Sequence, residues 1–522
     1  MKKTKMCKKS PLHTLARGTG GALALGLLIT GCAVGPNFNS PRAPVSSDAY
    51  SYTSGKPVKE TVGVDTYAGQ SQKLASGEDI PAAWWDVFHS DELDKLIRES
   101  LKHNPSLASA QAALRQAQEG YSSQADSVLY PSVTGNLQAA REHASAVSTN
   151  IPGGTILNLY NASVNVSYSV DVFGANKRGL ESLQAGVEYQ RFQLEATYLT
   201  LTANVVTTAI REASLRSQLQ ATQEILEAQT SQLDVVEKQF KVGAIAKISL
   251  LTQRNLVAQT RATIPALQKS IEQTRNQLAV FAGKLPGDAG MPEFRLENLQ
   301  LPQELPLSVP SALVRQRPDI RAVESLLHQA SAQVGVATAN QYPQFSLSGS
   351  YGYTSPETSK LFNNTMSFWS IGGGLAAPIF NAGALSAKRR EAEAAYDQAA
   401  AQYKSTVLSA FQNVADTLRA LEFDALTLKQ QAEVAAMTKD TLDLTLKQYK
   451  LGGVSSLVLL DAKRTYQAAR INLVQAQANR YADTAALFQA MGGGWWNRPE
   501  LEDISRTDAT ALNSANTNKA SQ

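Results

Sequence analysis

The sequence predicts an α+β fold, mainly α, that is built from one structural unit written twice and contributes four β-strands per chain. Three observations support this prediction. Two stretches of more than sixty residues lack proline, and several short segments alternate apolar with small polar residues. In addition, most landmarks of the first half recur roughly 210 residues later, which is the mark of an internal duplication.

The two proline-free stretches run from Gly174 to Phe240 and from Gly383 to Tyr449. At 1.5 Å per residue, each would form a helix roughly 100 Å long. Apolar residues in the second stretch are spaced alternately by four and three, with only Lys439 out of pattern, and this repeat predicts a left-handed supercoil between long helices. The members of the pattern are Val407, Phe411, Val414, Leu418, Leu421, Ala425, Leu428, Ala432, Ala435, Leu442, Leu446 and Tyr449. The first stretch has a weaker seam of Leu215, Leu219, Leu226, Leu233, Val236 and Phe240, with Thr222 and Gln229 in register.

The predicted strands have one apolar face and one face of small polar residues. They begin near Ser132 and Asn161 in the first half and cover about 345–353 and 369–379 in the second. This alternation fits either a half-buried soluble sheet or a membrane barrel with a wet interior. Serine, glycine and asparagine suit the lining of water better than the packing of a core, so the barrel is favoured.

Four strands cannot close a barrel, because natural barrels have about eight strands or more and an open edge in lipid leaves backbone groups unpaired. Other copies of the chain must complete it. Two copies would give eight strands and a filled interior, whereas three would give twelve and room for a lumen. A transport pore requires the second arrangement.

The duplication predicts the same order in each half: helix, strand, strand, long helix, turn, helix. Its landmarks pair Asn104-Pro105 with Arg317-Pro318, Tyr130-Pro131 with Tyr342-Pro343, Phe173 with Phe380, Gly243 with Gly452, and Gly283 with Gly492. The predicted divisions are a first repeat over 81–290, a linker over 291–310, a second repeat over 311–494 and a C-terminal tail over 495–522.

The N-terminus has the layout of a secretory signal, with five lysines in the first nine residues and then an apolar stretch of small residues. We predict that residues 1–31 are removed. Cys32 follows Gly31 as in a bacterial lipobox, so it is the predicted lipidation site, and an arm over 32–80 carries the anchor. Without the six basic residues of the leader, 43 basic and 45 acidic residues remain, which gives no support to nucleic-acid binding.

Several blocks together resemble the outer membrane factor family, of the TolC and OprM type, and within it the NodT-like lipoprotein branch. The resemblance implies a trimer with a twelve-stranded outer membrane barrel, continued by a helical coiled-coil barrel across the periplasm. It also implies a periplasmic adaptor and an inner membrane pump, expected to be of the resistance-nodulation-division type, as partners. The matching residues are Cys32, Gly35–Phe38 and Pro41; Trp84, Trp85, Phe88, Leu93, Leu96 and Ile97; Asn104, Pro105 and Leu107; Arg317–Arg321, Glu324, Gly335, Ala337, Tyr342 and Pro343; Trp369–Phe380; and Gly492–Trp495.

The same resemblance places a pore gate at Leu457, Asp461 and Tyr449, where helices converge at the periplasmic tip. The tips that would contact the adaptor are Val242, Gly243 and Ala244 in the first repeat and Leu451 and Gly452 in the second. Threefold symmetry would bring three Asp461 carboxylates together, which would attract cations. The simpler alternative is that Asp461 is a solvated residue in the first turn of a helix, where carboxylates are favoured.

No nucleophile elbow, cysteine pair or His-Glu metal helix occurs in the sequence, so neither an enzyme nor a cofactor or metal site is expected. The predicted function is passive efflux of small molecules, such as drugs or other toxic compounds, through the outer membrane. Type I protein secretion is the alternative within the same class. A non-conducting coiled-coil envelope lipoprotein would explain the long helices and the anchor but gives the strands no purpose.

Overall fold

The computed structural model describes residues 33–41, 58–144, 152, 154–288, 290–308 and 310–498. Cys32 and most of the predicted tail lie outside these ranges. The helices are α1 (Asp91–His103), α2 (Pro105–Leu129), α3 (Ala175–Lys241), α4 (Lys247–Phe281), α5 (Pro310–Gln316), α6 (Pro318–Ala339), α7 (Ala384–Lys450) and α8 (Ser456–Ala490). The strands are β1 (Lys73–Ser76), β2 (Ser132–Ala144), β3 (Thr155–Val170), β4 (Glu304–Leu307), β5 (Gln344–Ser355) and β6 (Ser367–Ala376). Within the described ranges, no helix combines the length and apolarity needed to cross a membrane.

The internal duplication is confirmed by the helical hairpins. α3 and α7 each span 67 residues, and α4 and α8 each span 35. Every boundary of the first hairpin is displaced by 209 residues from its counterpart in the second. Any position in one hairpin therefore has a defined counterpart in the other, and differences between counterparts show where the repeats have specialised.

The chain divides into two compact units. Over the described residues, the first contains 33–40, 115–144, 152, 154–188 and 324–401, and the second contains 41, 58–114, 189–288, 290–308, 310–323 and 402–498. The first unit holds an antiparallel four-stranded sheet of order β2-β3-β5-β6. Its two outer strands, β2 and β6, are therefore edges.

The strand register separates the side chains as predicted. Val133, Val166, Gly349 and Ile371 lie in one row across the four strands, whereas the next row is Thr134, Asn165, Ser350 and Ser370. Hydroxyl groups on the polar face bond to each other across strands, as in the 2.7 Å contact between Ser350 Oγ and Ser370 Oγ. β3 starts at Thr155, earlier than the expected Asn161, because its first residues do not follow the strict alternation that identified the strand.

The second unit has an apolar core built around the aromatic residues that precede α1. Trp84 is fully buried and stacks on Phe488 of α8 with 5.5 Å between ring centroids. The predicted seam of α7 contributes to this unit and is buried at Val407, Phe411, Val414, Leu418, Leu421, Ala425, Leu428 and Ala435. The alternation of four and three therefore identified a true packing face.

The weaker seam of α3 is present, but its most buried members are Val236 and the two polar residues and not its leucines. Thr222, Gln229 and Val236 are buried along one line, whereas the leucines of the predicted seam are only half-buried. The Gln229 side chain donates to Gln467 Oε1 at 3.3 Å, and its backbone carbonyl accepts from Gln253 Nε2 at 3.0 Å, whereas its own Oε1 is buried without a hydrogen-bond partner among the described residues. A polar ladder thus occupies the middle of this contact.

The expected arm and linker pack together instead of running free over their described residues. β1, from the arm, pairs in parallel with β4, from the linker. Gln72 is fully buried, and so is Leu305. Low local hydrophobicity concealed this role, because the arm contributes backbone hydrogen bonds and polar side chains more than apolar surface.

The most specific sequence block has a structural role that the duplication makes clear. The Asn104 side chain donates to the carbonyl of Phe281, the last residue of α4, at 2.9 Å. Its counterpart Arg317 donates to the carbonyl of Ala490, the last residue of α8, at 2.7 Å. Arg317 also binds Asp319 through two hydrogen bonds of 2.6 and 3.0 Å. In each repeat, therefore, the side chain of the residue before a proline donates a hydrogen bond to the last carbonyl of that repeat's helical hairpin.

Candidate gate and docking tips

Both hairpins turn through the same glycine-dependent cap. Gly243 N–H donates to Phe240 O and Ala244 N–H donates to Gln239 O, both at 2.9 Å. The second hairpin repeats this pattern around Gly452, and the two glycines share a φ of 77°. This is the Schellman arrangement, which satisfies the last carbonyls of a helix and favours glycine at the left-handed position. The tight turn is therefore a sufficient reason for both glycines.

The residues beside these glycines project into solvent. Val242 is 79% exposed and Leu451 is 86% exposed, and Ala244 is exposed as well. Apolar side chains that a protein leaves uncovered at the end of a hairpin are candidates for contact with another protein. The five predicted tip residues thus lie on two equivalent, accessible turns.

Two of the three predicted gate residues share one face of α8. Leu457 and Asp461 are four residues apart and both exposed, whereas Leu459 and Leu460 between them are buried. Ser455 caps this helix, and its Oγ accepts from Val458 N–H at 3.5 Å. Asp461 is the sixth residue of α8. It therefore lies beyond the first turn, and the helix dipole acts mainly within that turn. The dipole therefore does not account for a carboxylate at this position.

Tyr449 is less exposed than the other two predicted gate residues. It is half-buried and borders a small cavity where the two hairpins meet, together with Val236, Leu460 and Lys463. Burial lowers the pKa of the Lys463 ammonium. The structure thus places Tyr449 in the contact between the two hairpins and leaves Leu457 and Asp461 exposed to solvent.

Lys463 escaped the sequence analysis, although the duplication contains a signal for it. Its counterpart in the first repeat is Arg254, which forms an ion pair with Glu237 at 2.8 Å. Leu446 occupies the position that corresponds to Glu237. The second repeat therefore has a basic residue at this position, as the first does, but a leucine where the first repeat has the acidic partner.

Polar bonds link the two hairpins along their length. The links nearest the tips are Ser249 with Ser456, at 3.2 Å between the hydroxyl groups, and Gln259 with Arg464, at 2.8 Å. Three more follow along the hairpins: Gln229 with Gln467, Glu224 with Arg470, and Gln218 with Gln475. These five contacts hold the two hairpins together through hydrogen bonds and one ion pair.

A sheet with one apolar face and one hydroxyl-lined face suits lipid on one side and water on the other. Long helical hairpins with exposed tips suit an aqueous compartment beside that membrane. Together these features fit a protein that is inserted in a membrane and forms a conduit. The chain belongs to the outer membrane efflux protein family, whose profile matches residues 96–284 and 309–493. The two matches correspond to the two repeats.

Characterised relatives are similar over most of their length. The pyoverdine export outer membrane protein OpmQ of Pseudomonas putida is 30% identical over 451 residues, covering 84% of this chain and 94% of OpmQ. The cation efflux system protein CusC of Escherichia coli K12 is 28% identical, covering 90% and 97%. The solved structure of the outer-membrane channel OprN superposes with a TM-score of 0.81 at 26% identity, covering 89% of this chain and all of that one. Membership of this family makes the chain an outer membrane efflux channel, a passive conduit and not an enzyme.

Proposed function

We propose that three copies of this chain form the outer membrane exit duct of a tripartite efflux system, through which small molecules leave the periplasm. The observation that carries the proposal is the sheet, whose register gives one apolar face and one face of small polar side chains. Residues such as Trp369 and Ile371 are 72% and 84% exposed on the apolar face. Lipid is the environment in which such exposure is favourable.

The homotrimer is supported by what one copy leaves uncovered. Both outer strands of the sheet are open, and three four-stranded sheets give a barrel wide enough for a lumen. α7 also carries a second apolar stripe outside its buried seam, at Phe423, Leu426, Val434, Met437 and Leu444, which are 38 to 59% exposed. Neighbouring copies would cover this stripe.

The proposed protein partners are supported by the exposed hairpin tips and by membership of the family. Val242, Gly243, Ala244, Leu451 and Gly452 would receive the periplasmic adaptor, which connects the duct to an inner membrane pump of the resistance-nodulation-division type. The relatives' names mention pyoverdine in one case and cations in another. One fold thus serves chemically different cargo, so the cargo proposed here is the broad class of drugs and other toxic small molecules.

The lipid anchor at Cys32 is supported by how the following residues are held. Val34 N–H donates to Phe173 O at 3.1 Å, in the connection between β3 and α3. Arg178, which is only 4% exposed, donates to Asn37 Oδ1 at 2.7 Å. The first described residues of the arm are thus held beside the end of the sheet from which β3 continues into α3. Acyl chains on Cys32 would reach the adjoining membrane leaflet from there. Labelling of the protein by palmitate, lost in Cys32→Ser, tests the anchor; equal labelling of both proteins contradicts it.

Conductance in planar lipid bilayers tests the duct. The purified trimer should insert and give discrete channel openings in potassium chloride, because its lumen is lined by water-compatible side chains. A denatured sample and a lipid-only membrane are the controls. A trimer that inserts into the bilayer and carries no current would exclude a conduit and favour a structural lipoprotein.

A further inference from the structure

Charged side chains are almost absent from the four-stranded sheet. Among the residues of its described strands, Arg141, Glu142 and His143 are the only ones of the types Asp, Glu, Lys, Arg and His, and they are consecutive in β2. All three are exposed. Successive side chains of a strand point to opposite faces, so Arg141 and His143 share one face and Glu142 lies on the other. Two basic side chains thus lie together without an acidic neighbour on the same face of their strand.

These two basic residues belong to the apolar face of the sheet. Arg141 follows the same alternation as Leu137, which is exposed on that face. His143 is directly opposite Ile156 of β3, another exposed apolar residue. In the proposed duct this face is turned toward lipid, whereas Glu142 would face the water of the lumen. A ligand of Arg141 and His143 must therefore come from the membrane side of the wall.

The level of Arg141 in the membrane follows from the length of its strand. Tyr130 precedes β2, and the chain from there to Arg141 spans about 37 Å at about 3.4 Å per residue. At a strand tilt of about 40°, this length crosses about 28 Å of membrane, slightly more than the apolar band of about 25 Å. Arg141 would therefore lie just beyond the hydrocarbon, among the lipid head groups.

A group of aromatic residues marks the same boundary. Tyr160 of β3 is opposite Ala139, two residues before Arg141. Tyr351 and Trp369 lie on the same face of the next two strands, where they are paired with each other. Aromatic side chains concentrate where a membrane barrel meets the head groups. The two basic residues lie immediately beyond Tyr160, on the side away from the apolar band.

The end of the sheet that carries Arg141 is the outer end in the proposed orientation. β3 begins there, with Thr155 opposite Ala144, and continues into α3 from its other end. In this family the helical part extends into the periplasm, so the connection between β2 and β3 faces the cell exterior. The outer leaflet of a bacterial outer membrane consists mainly of lipopolysaccharide, whose lipid A part carries phosphate groups on its sugars. Lipid A phosphates are therefore the anions at the level of Arg141.

We propose that Arg141, His143 and Asn158 form a binding site for a phosphate group of lipid A in the outer leaflet. The proposal rests on the proposed function, because it requires the sheet to cross the outer membrane. Asn158 is exposed and directly opposite Arg141, and side chains opposite each other in paired strands are close enough to bind one ligand. A guanidinium group binds phosphate through two parallel hydrogen bonds, and an amide and an imidazole each donate a further one.

The surroundings of these donors select a lipid in preference to a free phosphate ion. Ile156 and Tyr160 flank Asn158 along β3 on the same face, and the apolar residues of β2 continue below Arg141. The acyl chains of lipid A would cover this apolar surface while its phosphate reaches the basic side chains. A free ion would leave the apolar surface uncovered.

Native mass spectrometry of the full-length trimer with added lipid A tests the site. The wild-type protein should bind about one lipid A molecule with two phosphate groups per chain. Arg141→Gln combined with His143→Gln should weaken this binding about ten-fold, because charge-assisted hydrogen bonds to phosphate are lost. Lys388→Gln removes an exposed positive charge from α7 and is the control, which should bind lipid A as the wild type does. Fully dephosphorylated lipid A should bind equally to all three proteins.

Equal binding of phosphorylated lipid A by the wild type and the double variant overturns the proposal. An equal loss of phosphorylated and dephosphorylated lipid A also overturns it, because such a loss reflects acyl-chain packing. Phosphatidylglycerol that binds as tightly as lipid A, with the same dependence on Arg141, overturns the assignment to the glycolipid.

Bilayer conductance of the same preparations separates failure of this site from failure of the proposed duct. The double variant should conduct as the wild type does, because both substituted side chains lie outside the lumen. A conducting trimer in which the substitutions leave lipid A binding unchanged contradicts the site alone. A protein that forms no trimer and carries no current contradicts the duct and, with it, the site.

Discussion

Asp483 has a strongly perturbed carboxyl group in the helical unit. It lies close to Asp424 of α7, whose negative charge acts on it. Burial, followed by the charge of Asp424, raises the pKa of Asp483 to about 8. Arg480, one turn earlier in α8, is fully buried, and its Nη2 donates to Gln72 Oε1 at 2.8 Å. The first repeat has Leu215, Ile271 and Thr274 at the positions of Asp424, Arg480 and Asp483, so this charged cluster is particular to the second hairpin.

The Asp483→Asn substitution should remove a pH dependence of stability. In the unfolded chain Asp483 loses its proton near pH 4, whereas the folded chain retains it to about 8, so the folded state binds more protons in between. The stabilising contribution is therefore complete below about pH 4 and is lost as the pH rises toward 8, with a slope approaching 1.4 kcal/mol per pH unit. Urea unfolding between pH 4 and 8 measures it. Asp440→Asn, at an exposed position of α7, is the control, and an unchanged slope in Asp483→Asn would contradict the assignment.

At the scale of an element, the two helical hairpins share the geometry of their turns. α3 and α7 end in equivalent caps because Gly243 and Gly452 adopt the same left-handed conformation. Along the hairpins, buried polar residues such as Gln229 occupy the centre of the contact between helices. Such a contact holds its register through hydrogen bonds and has less apolar packing to lose when the helices shift.

Replacing Gly452 by alanine should loosen the tip of the second hairpin. No atom lies within 4 Å of the added Cβ, so the cost is the left-handed backbone alone, about 1 kcal/mol. Hydrogen exchange of amides in the last turn of α7 should accelerate about five-fold, as expected for local opening. The matched control is Gly453→Ala, whose φ is not positive and whose Cβ meets Gln448 O at an ordinary 3.5 Å. Equal effects of the two substitutions would argue against the cap.

At the scale of the whole molecule, the proposed gate exists only in the assembly. Leu457 and Asp461 do not constrict anything within one copy, because both face solvent on α8. In the proposed trimer, threefold symmetry would turn each of them into a ring. Gating would then be a property of the proposed trimer, although a single hairpin positions both residues in each copy.

Combining Leu457→Ala with Asp461→Ala should raise the conductance of the closed channel several-fold, because it removes both the apolar and the charged ring. Single-channel recordings in planar bilayers measure this change. The counterpart pair in the first hairpin, Ile248→Ala with Thr252→Ala, occupies the same turns of α4 and is the control. A gate at Leu457 and Asp461 is wrong if the double variant conducts no better than this control.

The sequence alone determined the duplication, the long helices, the buried seam of α7 and the two faces of the strands. These features depend on periodicity and on turn residues, which act over a few neighbours along the chain. Tertiary structure decided that the arm and linker pair as β1 and β4, that the polar members of the α3 seam are more buried than its leucines, and that Tyr449 is less exposed than Leu457 and Asp461. Those outcomes depend on contacts between residues far apart in sequence, and periodicity carries no information about which partner a face will meet.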